Sequence, residues 1–520
     1  MKDFFGMKTK ILFIILLLLS FIIRFVNFER LQYGNDANVP YLVAHHIIKY
    51  HEFPLAIFNS MFYELKSSPT YFYLITLFVI INDHPLFLNL ANLFLQLFTL
   101  CVIYLFAQKA FGPITALFAS ALFSFSTINL NQSLFIWGPF VMQSFVNLSY
   151  LLLLLAFIKR SFNLILVGIT FFIFAGALHN SAFSLFPIYL LLCVYILKKL
   201  KAKVHNYYLL FLTVIFSFTL LFLPVLIYWY NNSLKISEIL NRGVDITSHD
   251  FLQNLNYTSA IFIDNFFFIS NKNLFSSNML ILVVTIFAIL FYFLIKRDSV
   301  VRKNYSFIIL TAILCQFLFV NLLKLNDPSL SGPSVWGILR YFTPVLGLFV
   351  IIIAHIINSV FTGNIVIRIT KVILIILLLN TFSQGIWGLF QHTRANFLNP
   401  QHYGHPAAES MEREILALQK KENASNLNFF QLRTYGHEDT NSYFWVILER
   451  DLDSKFTKTS DTTWNSYVTI NDDKYIFLIC YKLGNETCQD EFTRQNQNYQ
   501  ILSKVYSQHP FSIYLTKKDH

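Results

Sequence analysis

Charge is what this chain has least of. Only 13% of its 520 residues are Asp, Glu, Lys or Arg, where a soluble domain carries about 25%. With 55% hydrophobic residues and a mean hydropathy of +0.54, this implies a polytopic membrane protein rather than a water-soluble globule. Cysteine is equally scarce. Five Cys are too few for a disulfide scaffold. Cys101, Cys193 and Cys315 fall in apolar runs and read as inert. Cys480 and Cys488, the two near the C-terminus, are either a disulfide or two free thiols. Familiar catalytic signatures are missing too: there is no Walker A loop, no GxGxxG and no nucleophile elbow. No CxxC pair or His pair at helical spacing offers a metal cage, so no metal ligand and no cofactor is assigned. An enzyme of this kind needs a donor other than a soluble nucleotide, and a lipid-carried one would serve.

What the chain does have is apolar segments. A spanning helix needs about 20 apolar residues. Candidates are Ile11–Asn27, Leu86–Gln108, Pro113–Ile128, Gly138–Ile158, Phe162–Leu178, Ala182–Leu197, Tyr207–Tyr230, Met279–Ile295, Tyr305–Leu323, Tyr341–Phe361 and Val372–Phe390. Thr70–Ile81 is excluded, because it is short and bounded by Pro69 and by Asn82-Asp83-His84-Pro85. It reads as an interfacial or re-entrant helix. The 58 Phe sit mostly inside these runs, as lipid-facing and interhelical packing residues.

The net charge of +11 does not point to nucleic acid, because the basic residues cluster in short loops between apolar runs. They set orientation instead. With Lys2, Lys8 and Lys10 in the cytoplasm, Lys109, Lys159-Arg160, Lys198 to Lys203, Lys296 to Lys303 and Arg368–Lys371 all fall on the inner side. This predicts about 11 spans, a cytoplasmic N-terminus and an external C-terminus in a bacterial-type plasma membrane. Residues 1–390 then form the membrane domain, with a long first external loop over 28–85. Residues 391–520 turn polar and form a small external α/β or α+β domain. A helix is expected around Ala407–Gln419, with strands at Tyr443–Leu448, Tyr467–Ile470, Tyr475–Cys480 and Phe511–Leu515.

Polar residues near the external face are few. Asp36 follows the first span, at the head of the loop. An acid there is either a solvated interfacial group or a base facing a cavity. Glu52, Glu64 and Lys66 lie further along the loop. Arg24 sits near the first helix exit, as a snorkelling anchor or a phosphate contact. His179 ends one helix and Arg340-Tyr341 opens another, each an interfacial anchor or a site residue. Their convergence on one face is a stronger signal than any one of them.

Several stretches carry a resemblance. They are Arg24, then Gly34-Asn35-Asp36-Ala37-Asn38-Val39-Pro40-Tyr41 and Lys66-Ser67-Ser68-Pro69-Thr70-Tyr71-Phe72-Tyr73-Leu74, followed by Ala107 to Gly112, Phe135 to Pro139, Leu178 to Ala182, and Arg340 to Pro344. In that order, over roughly residues 10–390, they resemble the GT-C membrane glycosyltransferases, in particular the protein O-mannosyltransferase and aminoarabinose transferase group. The resemblance implies a GT-C-like fold, a polyprenyl-phosphate-linked sugar donor and an external active site. It puts the family's first-loop aspartate on Asp36 and its phosphate-contacting lysine near Lys66. The family often has a second acid where this chain has Ala37, and another in a loop where Phe135–Phe140 has none. Both departures weigh against a metal.

The mechanism this implies is direct displacement with inversion. Asp36 takes the acceptor hydroxyl's proton as general base. Lys66, Arg340 and Arg24 are the candidates for binding the departing donor phosphate. His179, Tyr341 and Glu52 position substrates. The partners are membrane lipids, the lipid-linked donor and a lipid, glycan or protein acceptor. Two other classes fit the same residues: a transporter or flippase of lipid-linked sugars, and a non-catalytic relative that binds a glycolipid.

Overall fold

The computed structural model describes residues 2–25, 35–59, 66–133, 136–231, 300–322 and 341–359, the strands 429–432, 475–481, 499–508 and 511–518, and single positions 383, 413 and 417. The expected span Met279–Ile295 and the expected strands Tyr443–Leu448 and Tyr467–Ile470 lie outside these residues, as does the expected span Val372–Phe390 apart from Ser383, which is helical. So does the helix around Ala407–Gln419, apart from Arg413 and Ala417, which are helical.

The helices are α1 (Lys2–Phe25), α2 (Asn35–Tyr50), α3 (Thr70–Ile81), α4 (Pro85–Phe111), α5 (Pro113–Phe125), α6 (Thr127–Gln132), α7 (Gly138–Lys159) and α8 (Phe162–Leu178). A 3-10 turn (Asn180–Leu185) then leads to α9 (Phe186–Lys199), α10 (Val204–Asn231), α11 (Val300–Leu322) and α12 (Thr343–Ser359). The short strands β1 (Ile57–Asn59) and β2 (Lys66–Ser67) pair antiparallel. Near the C-terminus, β3 (Phe429–Leu432), β4 (Tyr475–Tyr481), β5 (Tyr499–Gln508) and β6 (Phe511–Lys518) form one sheet in the order β3-β4-β6-β5. Only β3 and β4 run parallel.

The chain divides into two compact units. One holds Met1–Val26, Phe53–Tyr73 and Leu90–Leu389; the other holds Asn27–Glu52, Leu74–Asn89 and Phe390–His520. In the first, α7 and α12 bury residues on every side, including Phe140, Val146 and Leu153 on α7 and Val345, Phe349 and Ile353 on α12. A helix apolar all round belongs in the middle of a bundle. Accordingly α12 contacts α5, α7 and α11. Gly347 of α12 leaves no room for a Cβ beside the Asn147 amide of α7, so this close approach needs glycine. The perimeter is different. α1 exposes Ile11, Leu12, Ile15, Leu18 and Ile22, and α10 exposes Phe211, Phe216 and Leu220. In water so large an apolar surface would be strongly unfavourable; against lipid it costs little. Four described helices, within α4, α7, the 3-10 turn with α9, and α10, are long and apolar enough to cross a membrane.

Local sequence sets the junctions. Pro113 opens α5 at a position that needs no N–H. Gly112 before it has φ +105° and ψ 173°, a region open essentially to glycine alone. Arg160 ends α7 in the left-handed conformation, so α8 starts two residues later as the return arm of a hairpin. α3 has 12 residues, about 18 Å at 1.5 Å per residue, well short of the ~30 Å hydrocarbon thickness.

Within the segment 28–85 read as the first external loop, the structure shows a helix that the sequence reading lacked, Asn35–Tyr50. Pro40, Tyr41, Val43, Ala44 and Ile47 are buried at helical spacing. In the same unit the Tyr41 hydroxyl donates to the Asp83 carbonyl. The polar residues between the buried positions hid this helix in the sequence.

Candidate active site

The site is built where α8 ends. His179 leaves the helix in extended conformation, φ −158° and ψ 127°. Its Nδ1 meets the Ser181 hydroxyl at 2.7 Å and accepts from the Ser181 N–H at 3.4 Å. The imidazole thus caps the 3-10 turn, a use of an aromatic base in a role usually filled by Ser, Thr, Asn or Asp. The turn folds back because Gly176 has no Cβ: one there would collide with the Phe183 ring. The start of α7 is held against the same helix end, since a Cβ on Gly138 would lie 3.2 Å from the Leu178 carbonyl.

From this turn three contacts reach other elements. Asn180 Nδ2 donates to the Ser67 hydroxyl on β2 at 3.0 Å. The Ser181 hydroxyl points to the Met142 sulfur of α7 at 3.6 Å. The Ser184 hydroxyl bonds Gln316 Oε1 of α11, and Gln316 Nε2 donates to the Tyr341 carbonyl. The relay Ser184–Gln316–Tyr341 fixes the backbone just after Arg340. The Tyr341 and His179 rings lie 6.4 Å apart, tilted by 44°. Behind them the Tyr71 hydroxyl donates to the Ile136 carbonyl at 3.3 Å, and Tyr73 donates to the Pro54 carbonyl at 2.7 Å.

Thus one end of the first unit brings together His179, Tyr341 and the strand that carries Lys66. Arg340 lies outside the described residues. Arg24 is in the same unit but buried: one Nη donates to Ser20 Oγ at 2.6 Å and the other to the Ser124 carbonyl of α5 at 3.0 Å. It clamps α1 to α5, which occupies both of its Nη atoms within the protein. Asp36 and Glu52 belong to the second unit. Asp36 is the second residue of α2. Glu52 is exposed and paired with His46 Nε2 at 3.0 Å.

Sequence reasoning named His179 and Tyr341 but passed over Asn180, Ser67 and Gln316. Gln316 had a visible signal: a fully buried amide inside an apolar span is expensive unless bonded, and here both its ends are. Ser67 and Asn180 lie in stretches that carry the resemblance, but their bond joins residues 113 apart in the chain, and no local pattern shows it.

No protein-family model matches the sequence, and no curated protein matches it. Solved structures do. ArnT from Cupriavidus metallidurans bound to undecaprenyl phosphate superposes with a TM-score of 0.53 at 11% identity, over 96% of this chain and 97% of that one. The apo state of the same protein gives 0.54 at 11% identity, with the same coverage. The fold is that of the GT-C membrane glycosyltransferases. A GT-C fold with this many apolar helices is a multi-pass membrane protein.

Proposed function

We propose that the protein is a glycosyltransferase that moves a sugar from a polyprenyl-phosphate-linked donor to a lipid, glycan or protein acceptor on the external face of the membrane. The observation that carries this reading is the joining of β2, the 3-10 turn and the start of α12 through Asn180, Ser184 and Gln316, in a GT-C fold. That arrangement holds the Lys66 strand and the residue following Arg340 against one turn, where two cations suit a departing phosphate. The solved ArnT structure with undecaprenyl phosphate supports a lipid-phosphate donor. In the reaction Asp36 accepts the acceptor's proton as the oxygen attacks the anomeric carbon. The bond to phosphate breaks with inversion, and Lys66 and Arg340 stabilise the charge that develops on the phosphate. His179, Tyr341 and Glu52 are positioning residues. The basic loops support an inner N-terminus and an outer C-terminal domain, with α3 lying along the external face.

One observation favours a second reading. Ala37 stands where related enzymes often have a second acid, which suits a relative that binds a glycolipid without turning it over. Incubation of the purified protein with a polyprenyl-phosphate sugar separates the readings. A transferase releases polyprenyl phosphate, a flippase moves the lipid intact across a vesicle, and a binder does neither. Absence of released polyprenyl phosphate with every donor sugar and acceptor extract supplied would refute the transferase.

A further inference from the structure

Among the described residues, two of the three non-glycine positions with positive φ hold cations at matching places. Arg160 and Lys201 each have φ 52°. Arg160 stands just past α7 and Lys201 just past α9. In both, the next N–H reaches back five residues: Ser161 to the Ala156 carbonyl and Ala202 to the Leu197 carbonyl, each at 3.0 Å. This is the closing turn in which the left-handed residue is usually glycine. A side chain there is strained, so a cation in both turns calls for a reason beyond turn geometry. The helix dipole does not supply it, because Lys159 and Lys198-Lys199 already fill the last turns of these helices.

The two turns lie at one end of the first unit. α8, with 17 residues and a length of about 25 Å, separates the Arg160 turn from His179. The start of α11 joins the two turns: Tyr305 meets Phe157 of α7 edge-on at 6.0 Å, and Asn304 Nδ2 donates to the Tyr195 hydroxyl of α9 at 3.2 Å. Lys199 Nζ sits 5.6 Å from the centre of the same Tyr195 ring. Lys159, Arg160, Lys198, Lys199, Lys201 and Lys203 are all exposed, and among the described residues none of them is paired with a carboxylate. The sequence leaves little to pair with, since residues 84–237 contain no Asp or Glu.

Next to these cations, along the helices, the surface is apolar. Leu191 and Val194 precede Lys198 on α9 at helical spacing, and Val204, Tyr208 and Phe211 follow Lys203 down one side of α10, all five exposed. Cations above an exposed apolar strip match a molecule with an anionic head and apolar tails. A free anion or an acidic protein would meet the cations but leave the strip uncovered.

We propose that this end of the bundle docks anionic phospholipids, with headgroup phosphate on Arg160, Lys199 and Lys201 and acyl chains along α9 and α10. The surface faces the leaflet away from the candidate active site, and the inference does not depend on the transferase reading. The test titrates the delipidated full chain with phosphatidylglycerol or with phosphatidylcholine of the same acyl chains, and counts bound lipid by native mass spectrometry. Phosphatidylglycerol is expected to bind tighter, and salt to weaken it. Arg160→Gly with Lys201→Gly keeps both turns and removes both charges. A basic residue near an anionic surface contributes about fivefold in affinity, so the preference for phosphatidylglycerol should fall roughly 25-fold. The same double variant should melt no lower than the parent in phosphatidylcholine, because glycine relieves the left-handed strain. Lys201→Arg should keep the preference. Lys199→Gln with Lys203→Gln leaves both turns untouched and should show the same loss, which covers a glycine variant that fails to fold. Equal binding of the two lipids by the parent, or an unchanged preference in the charge-removing variants, would overturn the proposal. So would displacement of phosphatidylglycerol by equimolar inorganic phosphate or poly-glutamate, which would assign the face to a free anion or to an acidic protein.

Discussion

Gln316 offers the most direct test of the site's construction. It is fully buried in α11, and its amide makes two bonds of different kinds. Oε1 takes the Ser184 hydroxyl, and Nε2 donates to the Tyr341 carbonyl. Gln316→Met keeps the length and most of the volume while removing both bonds. Ser184 keeps a partner, because its hydroxyl also reaches the Ser181 carbonyl at 2.7 Å. The Tyr341 carbonyl loses this bond, and an intramolecular hydrogen bond contributes about 0.5–1.5 kcal/mol net. Measured interhelical bonds in membranes average about 0.6 and reach about 1.7 kcal/mol, so a loss of about 0.5–1.5 kcal/mol is expected. The assay has two parts: thermal unfolding of the purified protein, and donor saturation of sugar release. A lowered melting temperature with donor KM raised several-fold is expected, because the backbone next to Arg340 loses its anchor. An unchanged KM in a variant with a lowered melting temperature would show that the relay is structural only and has no bearing on donor binding.

Asp36→Asn removes basicity at constant size, and sugar transfer should fall by about 10²–10⁴-fold with donor binding little changed; transfer at the parental rate would take Asp36 out of the mechanism. Arg340→Lys keeps the charge but loses the two-pronged grip on phosphate oxygens. It should weaken donor use without lowering the melting temperature, and equal activity would make Arg340 an anchor. Gly112→Ala meets nothing within 4 Å, yet its φ of +105° should destabilise the protein by about 1–3 kcal/mol; an unchanged melting temperature would refute the strain argument. A reporter fused after His520 should be active only outside the cytoplasm, and cytoplasmic activity would reverse the assigned topology.

How far the sequence showed all this depended on distance along the chain. The helices within the first unit were legible because lipid demands long apolar runs. The expected Gly138–Ile158 and Phe162–Leu178 fall on α7 and α8 within a residue. α2 was not legible, since Pro40 and the polar Asn35, Asp36 and Asn38 look like loop chemistry. Among the strands, Tyr475–Cys480 and Phe511–Leu515 appear as β4 and β6. β5 was missed because its register shifts between Ile501 and Ser503 and again between Lys504 and Tyr506. Each irregularity breaks the alternation by which a strand is recognised. In the site, His179 and Tyr341 stood out as polar residues at span ends. What joins them, through Ser184 and Gln316, depends on contacts 132 and 25 residues apart, which no local pattern encodes.

The clamp made by Arg24 bears on how the protein is born. Its partner carbonyl at Ser124 lies 100 residues further along the chain. At about 5–20 residues per second of synthesis, that partner emerges roughly 5–20 s after Arg24. For that interval the guanidinium has only Ser20 on its own helix and must reach toward the headgroups, which its place in the last turn of α1 allows. α1 is therefore held provisionally and becomes fixed when α5 arrives. A ribosome-bound chain halted before Ser124 should hold α1 more loosely than one halted after α5 has emerged.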